Sequence, residues 1–181
     1  MAGELTHCFD AEFPPASPPP LCAAGLGYIG GPRAANVWTL EEWLRFSGLR
    51  QFPAYVPEVG LDPLGQAAEA VALMRARGWR TGRALVFDLE TGQDPDWWHA
   101  LATRVRELGQ LPVAYGSLST VLGNKAAVNW SAAWDGIPQL DAGQSIEATQ
   151  YAANLPWQGT EVDLSVVSAE LLARGGVAAR T

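Results

Sequence analysis

The chain is poor in the residues on which many binding chemistries depend. Among 181 residues there are two cysteines and two histidines. Cys8 and Cys22 are too few for a disulfide framework, and with His7 and His99 they show no zinc-ligand spacing, so no metal and no cofactor is expected. Cys8 lies in an apolar segment and is read as a small buried hydrophobe rather than half of a bridge. Basic side chains are also scarce: 12 Lys and Arg against 19 Asp and Glu leave a formal charge of −7. Nucleic-acid binders carry a basic face, so nucleic acid is not an expected partner. The same charge provides no attraction to an anionic membrane or cell wall. No apolar run reaches the roughly 18 to 20 residues of a membrane span. Met1 to His7 has neither the basic nor the apolar region of a secretory signal, so the expectation is a soluble protein without one, its compartment left open.

What is present describes a compact domain. Hydrophobic residues make up 48% and charged residues 17%, and the length fits one domain over 1–181, on a prior of about 100 to 200 residues per domain. Short apolar segments alternate with turns and amphipathic stretches. Strands are expected at Leu5–Asp10, Gly25–Gly31, Phe52–Val56, Ala84–Glu90, Pro112–Tyr115, Ala126–Trp134, Ile146–Tyr151 and Val162–Val167. The Pro-rich passage from Phe13 to Pro20 excludes an ordinary helix after the first of these. Thr39 followed by Glu42 has capping-box spacing and starts a helix with Leu40, Trp43, Leu44 and Leu49 on its apolar face. A longer helix is expected over Pro63–Arg77, and another begins at Asp94 or Asp96 and ends at Gly109. Short helices follow at Leu118–Leu122 and Ser168–Arg174.

Eight buried strands with helical or irregular connections match an α/β architecture, a compact (β/α)8 barrel of TIM type with some helices reduced or missing; the first and sixth connections look like loops. A doubly wound open sheet is the alternative, weakened because no Gly-rich phosphate loop follows the first strand.

Chemistry concentrates at strand ends. In Ala84-Leu85-Val86-Phe87-Asp88-Leu89-Glu90 two carboxylates stand two residues apart, which on a strand directs both to one face. A buried carboxylate is costly unless paired, hydrogen-bonded or protonated, and a protonated one beside an ionised one is the arrangement of a glycosidase. The plainer reading leaves Glu90 solvated after the strand. Barrel active sites lie at the C-terminal strand ends, where Asp10 and a sequence around Asp163 add acids. Asp10 could instead cap the turn before the prolines, and Asp163 could be solvated at the start of its strand after the Trp157-Gln158-Gly159 turn. Tyr28, Tyr55 and Tyr115 lie on the second, third and fifth strands, Asn129, Trp130 and Trp134 on the sixth, and Gln150 and Tyr151 on the seventh. Gln150 could simply bond a loop carbonyl. Of the 8 tryptophans, Trp43, Trp79 and one of Trp97 or Trp98 are assigned to helix faces, whereas Trp130 and Trp134 could stack on a sugar ring.

The order Phe9-Asp10, Phe87-Asp88-Leu89-Glu90, Tyr115-Gly116, Trp130 to Trp134, Gln150-Tyr151 and Val162-Asp163-Leu164 on successive strands resembles the glycoside hydrolase family 25 lysozymes, and equally a neighbouring group of family 25-like domains of unknown function. The resemblance implies hydrolysis of a β-1,4 bond between N-acetylmuramic acid and N-acetylglucosamine. It implies Glu90 as general acid and Asp88 as its partner, orienting water or the substrate N-acetyl group. Asp10 and Asp163 would bind sugar and raise the Glu90 pKa by repulsion; Tyr28, Tyr55, Tyr115, Trp130, Trp134, Gln150 and Tyr151 would form the cleft. The segments Phe9-Asp10-Ala11-Glu12 and Asp163-Leu164-Ser165 depart from the usual lysozyme signatures, and Glu12 is an acid without a counterpart. A catalytically silent glycan-binding or scaffold domain on the same barrel is the alternative function. The expected partner is a carbohydrate polymer, peptidoglycan by the resemblance, bound by a monomer.

Overall fold

The computed structural model describes residues 5–89, 94–141 and 145–179. Eight strands close a barrel in sequence order: β1 (Thr6–Asp10), β2 (Cys22–Gly30), β3 (Arg50–Tyr55), β4 (Ala84–Asp88), β5 (Leu111–Ser117), β6 (Asn129–Ala132), β7 (Ile146–Trp157) and β8 (Thr160–Val167). Neighbours from β1 through β7 pair in parallel. β8 runs antiparallel to both β7 and β1. That reversal departs from the eight parallel strands of the expected barrel and has a local cause. Gln158 and Gly159 take left-handed φ values of 48° and 84°, the conformation of a two-residue hairpin turn, and so short a link can join only antiparallel strands.

Five helices accompany the described strands: α1 (Leu40–Arg45), α2 (Pro63–Ala76), α3 (Pro95–Glu107), α4 (Leu118–Gly123) and α5 (Ala169–Arg174). Each starts where the side chains dictate. Thr39 and Glu42 form the reciprocal capping box of α1; Asp62 and Asp94 cap α2 and α3, each followed by a proline in the first turn, where its missing N–H has no partner to lose. Among the described residues no helix occupies the β1–β2 or β6–β7 connection, as the Pro-rich first loop implies.

Strand alternation sorts the side chains into two dry compartments. Inside the barrel lie Cys8, Leu26, Phe52, Val86, Val113, Tyr115 and Trp130. Outside it, Ile29, Tyr55, Leu85 and Phe87 meet the apolar faces of α2 and α3, among them Ala70, Met74, Trp98 and Leu101. Phe87 makes edge contacts with Tyr55 and Trp98 at 5.9 and 6.0 Å. Both Trp97 and Trp98 are buried, with Trp43 and Trp79. Each large side chain withdrawn from water in this way contributes about 1.5–3 kcal/mol. Cys8 and Cys22 are free buried thiols in different compartments. Burial pushes the Cys8 thiol well above its ordinary pKa and that of Cys22 up to about 11, which keeps both protonated and unreactive.

Candidate active site

The last inward positions of the strands form a polar layer at one end of the barrel. β1 ends in Asp10 and β4 in Asp88, both buried. Asp163 stands directly opposite Asp10 in the β1–β8 register. Because β8 is reversed, its opening half, not its end, reaches the mouth where the other strands finish. The Trp157-Gln158-Gly159 turn is the sequence signal for that placement.

Gln150, fully buried on β7, organises this layer. Its Nε2 donates to Asp163 Oδ2 at 2.6 Å and to Asp10 Oδ2 at 3.3 Å. Its Oε1 accepts from the Tyr115 hydroxyl at 2.7 Å and from Trp134 Nε1 at 2.6 Å. The amide orientation follows from chemistry: an indole N–H can only donate and ionised carboxylates only accept. One side chain thus ties β1, β5, β7, β8 and Trp134, two residues beyond β6, together, a role well beyond the loop bond the sequence suggested. The second Asp163 oxygen accepts from the Asn154 backbone N–H at 2.6 Å. Asn154 adopts φ 57° where the β7 register slips, and the irregularity aims its N–H at the carboxylate. Burial pushes the Asp163 carboxyl above its ordinary pKa; the Asn154 and Gln150 donors pull it back in part, and the charge of Glu161 adds to the rise.

On the other side of the mouth the Tyr28 hydroxyl donates to Asp88 Oδ2 at 3.3 Å. Tyr28 and Asp10 border a groove of about 1080 Å³ that runs along the β7–β8 hairpin past Phe13, Trp157 and Glu161. Its two walls are fastened together. Gln158 exchanges hydrogen bonds with Ser17 through both its amide atoms, and Trp157 Nε1 donates to the Ser17 carbonyl. The Pro-rich β1–β2 loop is therefore a docked wall of the groove.

Trp134 projects into solvent at the same end, 61% exposed. Its φ of 53° is uncommon for a bulky residue, and the site holds it there: the Ala133 and Trp134 N–H groups both donate to the Gln150 carbonyl, while its indole donates to the Gln150 side chain. An exposed ring fixed in this way is a ready surface for a sugar face.

Three expected cleft residues lie elsewhere. Trp130 is fully buried beneath the polar layer, edge-on to Phe52 at 5.5 Å, with Nε1 donating to Ser165 Oγ at 3.1 Å; inward parity makes it core. Tyr55 faces outward, its hydroxyl donating to Glu69 on α2 at 2.6 Å. Tyr151, next to inward Gln150, points to the opposite face and shares a hydrogen bond with His7 Nδ1 at 3.1 Å. Glu90 lies outside the described residues. Asn154 and the Ser17–Gln158 fastening were not anticipated; both depend on loop geometry that has no residue signature.

No protein-family model and no curated protein matches the chain. Solved structures do match over nearly its whole length. An uncharacterized B. stearothermophilus protein superposes with a TM-score of 0.76 at 19% identity, over 92% of this chain and 98% of that one. The modular autolysin LytC from Streptococcus pneumoniae, also solved with a synthetic peptidoglycan ligand, gives 0.71 at 16%, over 90% of this chain and 46% of its own. A family 25 glycosyl hydrolase from Bacillus anthracis gives 0.65 at 12%, over 91% and 89%. At these identities the likeness is one of fold: the chain shares its barrel with family 25 lysozymes and muramidases and with a protein of unassigned activity.

Proposed function

We propose that this protein is a glycoside hydrolase that cleaves a β-1,4 bond next to an N-acetylated sugar, with peptidoglycan as its polymer. One observation carries the reading: Asp10, Asp88 and Asp163 come from three strands to one barrel mouth, where Asp10 and Asp163 line an open groove, on a fold shared with a family 25 glycosyl hydrolase and a muramidase. Glu90 follows Asp88 by two residues in the sequence. In this reading Glu90 is the general acid and gives its proton to the leaving glycosidic oxygen as the bond to the anomeric carbon breaks. Asp88 supports the anomeric centre from the other side, orienting water or the substrate N-acetyl group, and Tyr28 holds its carboxylate in place. Water supplies the new hydroxyl at that carbon. Asp10 and Asp163, aligned by Gln150, bind sugar hydroxyls, and Trp134 stacks on a ring.

The deciding experiment is reducing-end release from purified peptidoglycan by the native protein and by Glu90→Gln, with folding compared by circular dichroism. The amide keeps the shape of the acid and loses its proton, so release is expected to fall about 10²- to 10⁴-fold with the fold intact. Equal release by the two proteins removes Glu90 from the mechanism. No release by either, together with binding of wall fragments, reassigns the barrel to a glycan-binding module.

A further inference from the structure

The charges of this acidic chain are not spread evenly along the barrel. Acids gather at the mouth, whereas Arg50 opens β3 and Arg83 immediately precedes β4, at the opposite end, with Arg80 in the α2–β4 connection. From Arg83 to Asp88 the strand climbs about 16 Å, at about 3.3 Å per residue. The three arginines line a basal recess of about 260 Å³ that has no Asp, Glu or His among its described lining residues. None of them is in an ion pair among the described residues, where the pairs are Arg45 with Glu42 and Arg104 with Glu107. Arg83 Nη1 donates to the Ala173 and Gly175 carbonyls at 3.3 and 3.2 Å, which holds the side chain in place without a formal counter-charge.

The recess is firmly built. The segment from Gly176 to Ala179 is fixed across the α2–β4 connection by four hydrogen bonds. Gly176 and Gln51 exchange backbone bonds of 2.8 and 3.0 Å, the Ala178 N–H donates to Gln51 Oε1 at 2.6 Å, and the Ala179 N–H donates to the Arg77 carbonyl at 3.1 Å. A Cβ at Gly78, where φ is 84°, would come within 2.2 Å of the Ala179 carbonyl oxygen, and one at Gly176 within 2.4 Å of Trp79 Cδ1, so both approaches require glycine. Trp79 is 3% exposed and its Nε1 has no hydrogen-bond partner. The Gly176 Cβ position lies 2.9 Å from that nitrogen, so the N–H edge of the indole faces the glycine that lines the recess. The wall therefore supplies positive charge and a spare N–H dipole, with no carboxylate to meet them.

We propose that this basal recess is a binding site for a phosphate group, separate from the mouth and independent of the glycosidase reading. Three like charges held around one recess repel each other, and a bound anion relieves that repulsion. Phosphate suits the lining better than a carboxylate does. A phosphate monoester carries about 1.5 to 2 negative charges and three strong acceptor oxygens, enough to engage more than one guanidinium fork, whereas a carboxylate has one charge and two oxygens. Free phosphate and a phosphodiester chain are the two sources of this chemistry.

The test is titration of the ¹⁵N-labelled protein with inorganic phosphate, acetate and a short poly(glycerol phosphate), followed through amide and indole NMR shifts. Phosphate should move the Trp79 indole and Gly176 amide resonances and leave the Trp134 indole at the mouth in place. Arg50 and Arg80 are exposed, so Arg50→Gln and Arg80→Gln should keep the fold and each raise the dissociation constant about fivefold, the scale of one charge-assisted contact open to solvent. Arg83 is unsuitable for substitution because it also holds the Ala173 and Gly175 carbonyls. Tighter binding of the polymer than of inorganic phosphate, weakened by the same two changes, supports the site with a phosphodiester chain as its ligand; the reverse order supports it with the free anion. Acetate binding as tightly as phosphate, no shift at Trp79 and Gly176, or undiminished binding by both variants overturns the proposal.

Discussion

Two layers inside the barrel, a dry lower one and an upper one that opens on the groove, are held in opposite ways. The lower one, around Phe52, Val86 and Trp130, is cohesive through shape, with a single polar atom on the Trp130 ring met by Ser165. The upper one, a strand pair higher, is cohesive through hydrogen bonds, with Gln150 engaged at both amide atoms by Asp10, Asp163, Tyr115 and Trp134. A packed layer tolerates no void. A hydrogen-bonded layer tolerates no missing partner, but it can present carboxylates to a ligand. The barrel thus uses one closed wall for two purposes, a rigid floor and a rim that presents carboxylates.

Trp130→Ala should expose the dependence of the floor on shape most sharply. A fully buried indole replaced by a methyl group costs about 3–5 kcal/mol, read as a lower urea midpoint. A cost below about 1 kcal/mol would mean that the floor collapses freely and the two layers do not differ. Gln150→Leu has nearly the volume of the native residue and removes only the polar bonds. It should cost about 1–3 kcal/mol, because the Tyr115 hydroxyl and the Asp10 and Asp163 carboxylates lose their Gln150 bonds in a largely buried layer. It should also lower peptidoglycan turnover with an altered near-ultraviolet signal from Trp134. Unchanged stability and turnover would make the network incidental to the rim.

The smallest effect is a dependence on pH. The Asp163 carboxyl sits above its ordinary value of 3.8 when folded, chiefly through burial. A raised folded pKa means that protonation favours the fold. The contribution is complete below the unfolded value and is lost as pH rises through the higher folded one. The Tm of Asp163→Asn minus that of the native protein should therefore increase from below pH 3.8 upward through that window and then level off. A difference that falls with rising pH would reverse the sign assigned to burial.

Much of this was legible locally. The Thr39–Glu42 box, the Asp–Pro starts of α2 and α3 and the inward period of β4 depend on residues within a few positions of one another, and the strands lie close to where the pattern places them. The acids Asp10, Asp88 and Asp163 were recognisable because carboxylates at apolar strand ends are conspicuous. Tyr55, Trp130 and Tyr151 were misplaced for a shared reason: one residue of register moves a side chain from the rim to the core or to the outer face, and aromatic residues suit all three. Gln150 was undervalued because an amide announces neither its partners nor their number.

The sequence by itself determined the short elements, their caps and the acids at strand ends, since these follow from neighbouring side chains and backbone sterics. Only the tertiary structure decided that β8 returns antiparallel, that Asp163 faces Asp10, and that Gln150 joins four strands at the mouth. Those facts depend on barrel closure, which brings together positions more than a hundred residues apart through a register that no local segment contains.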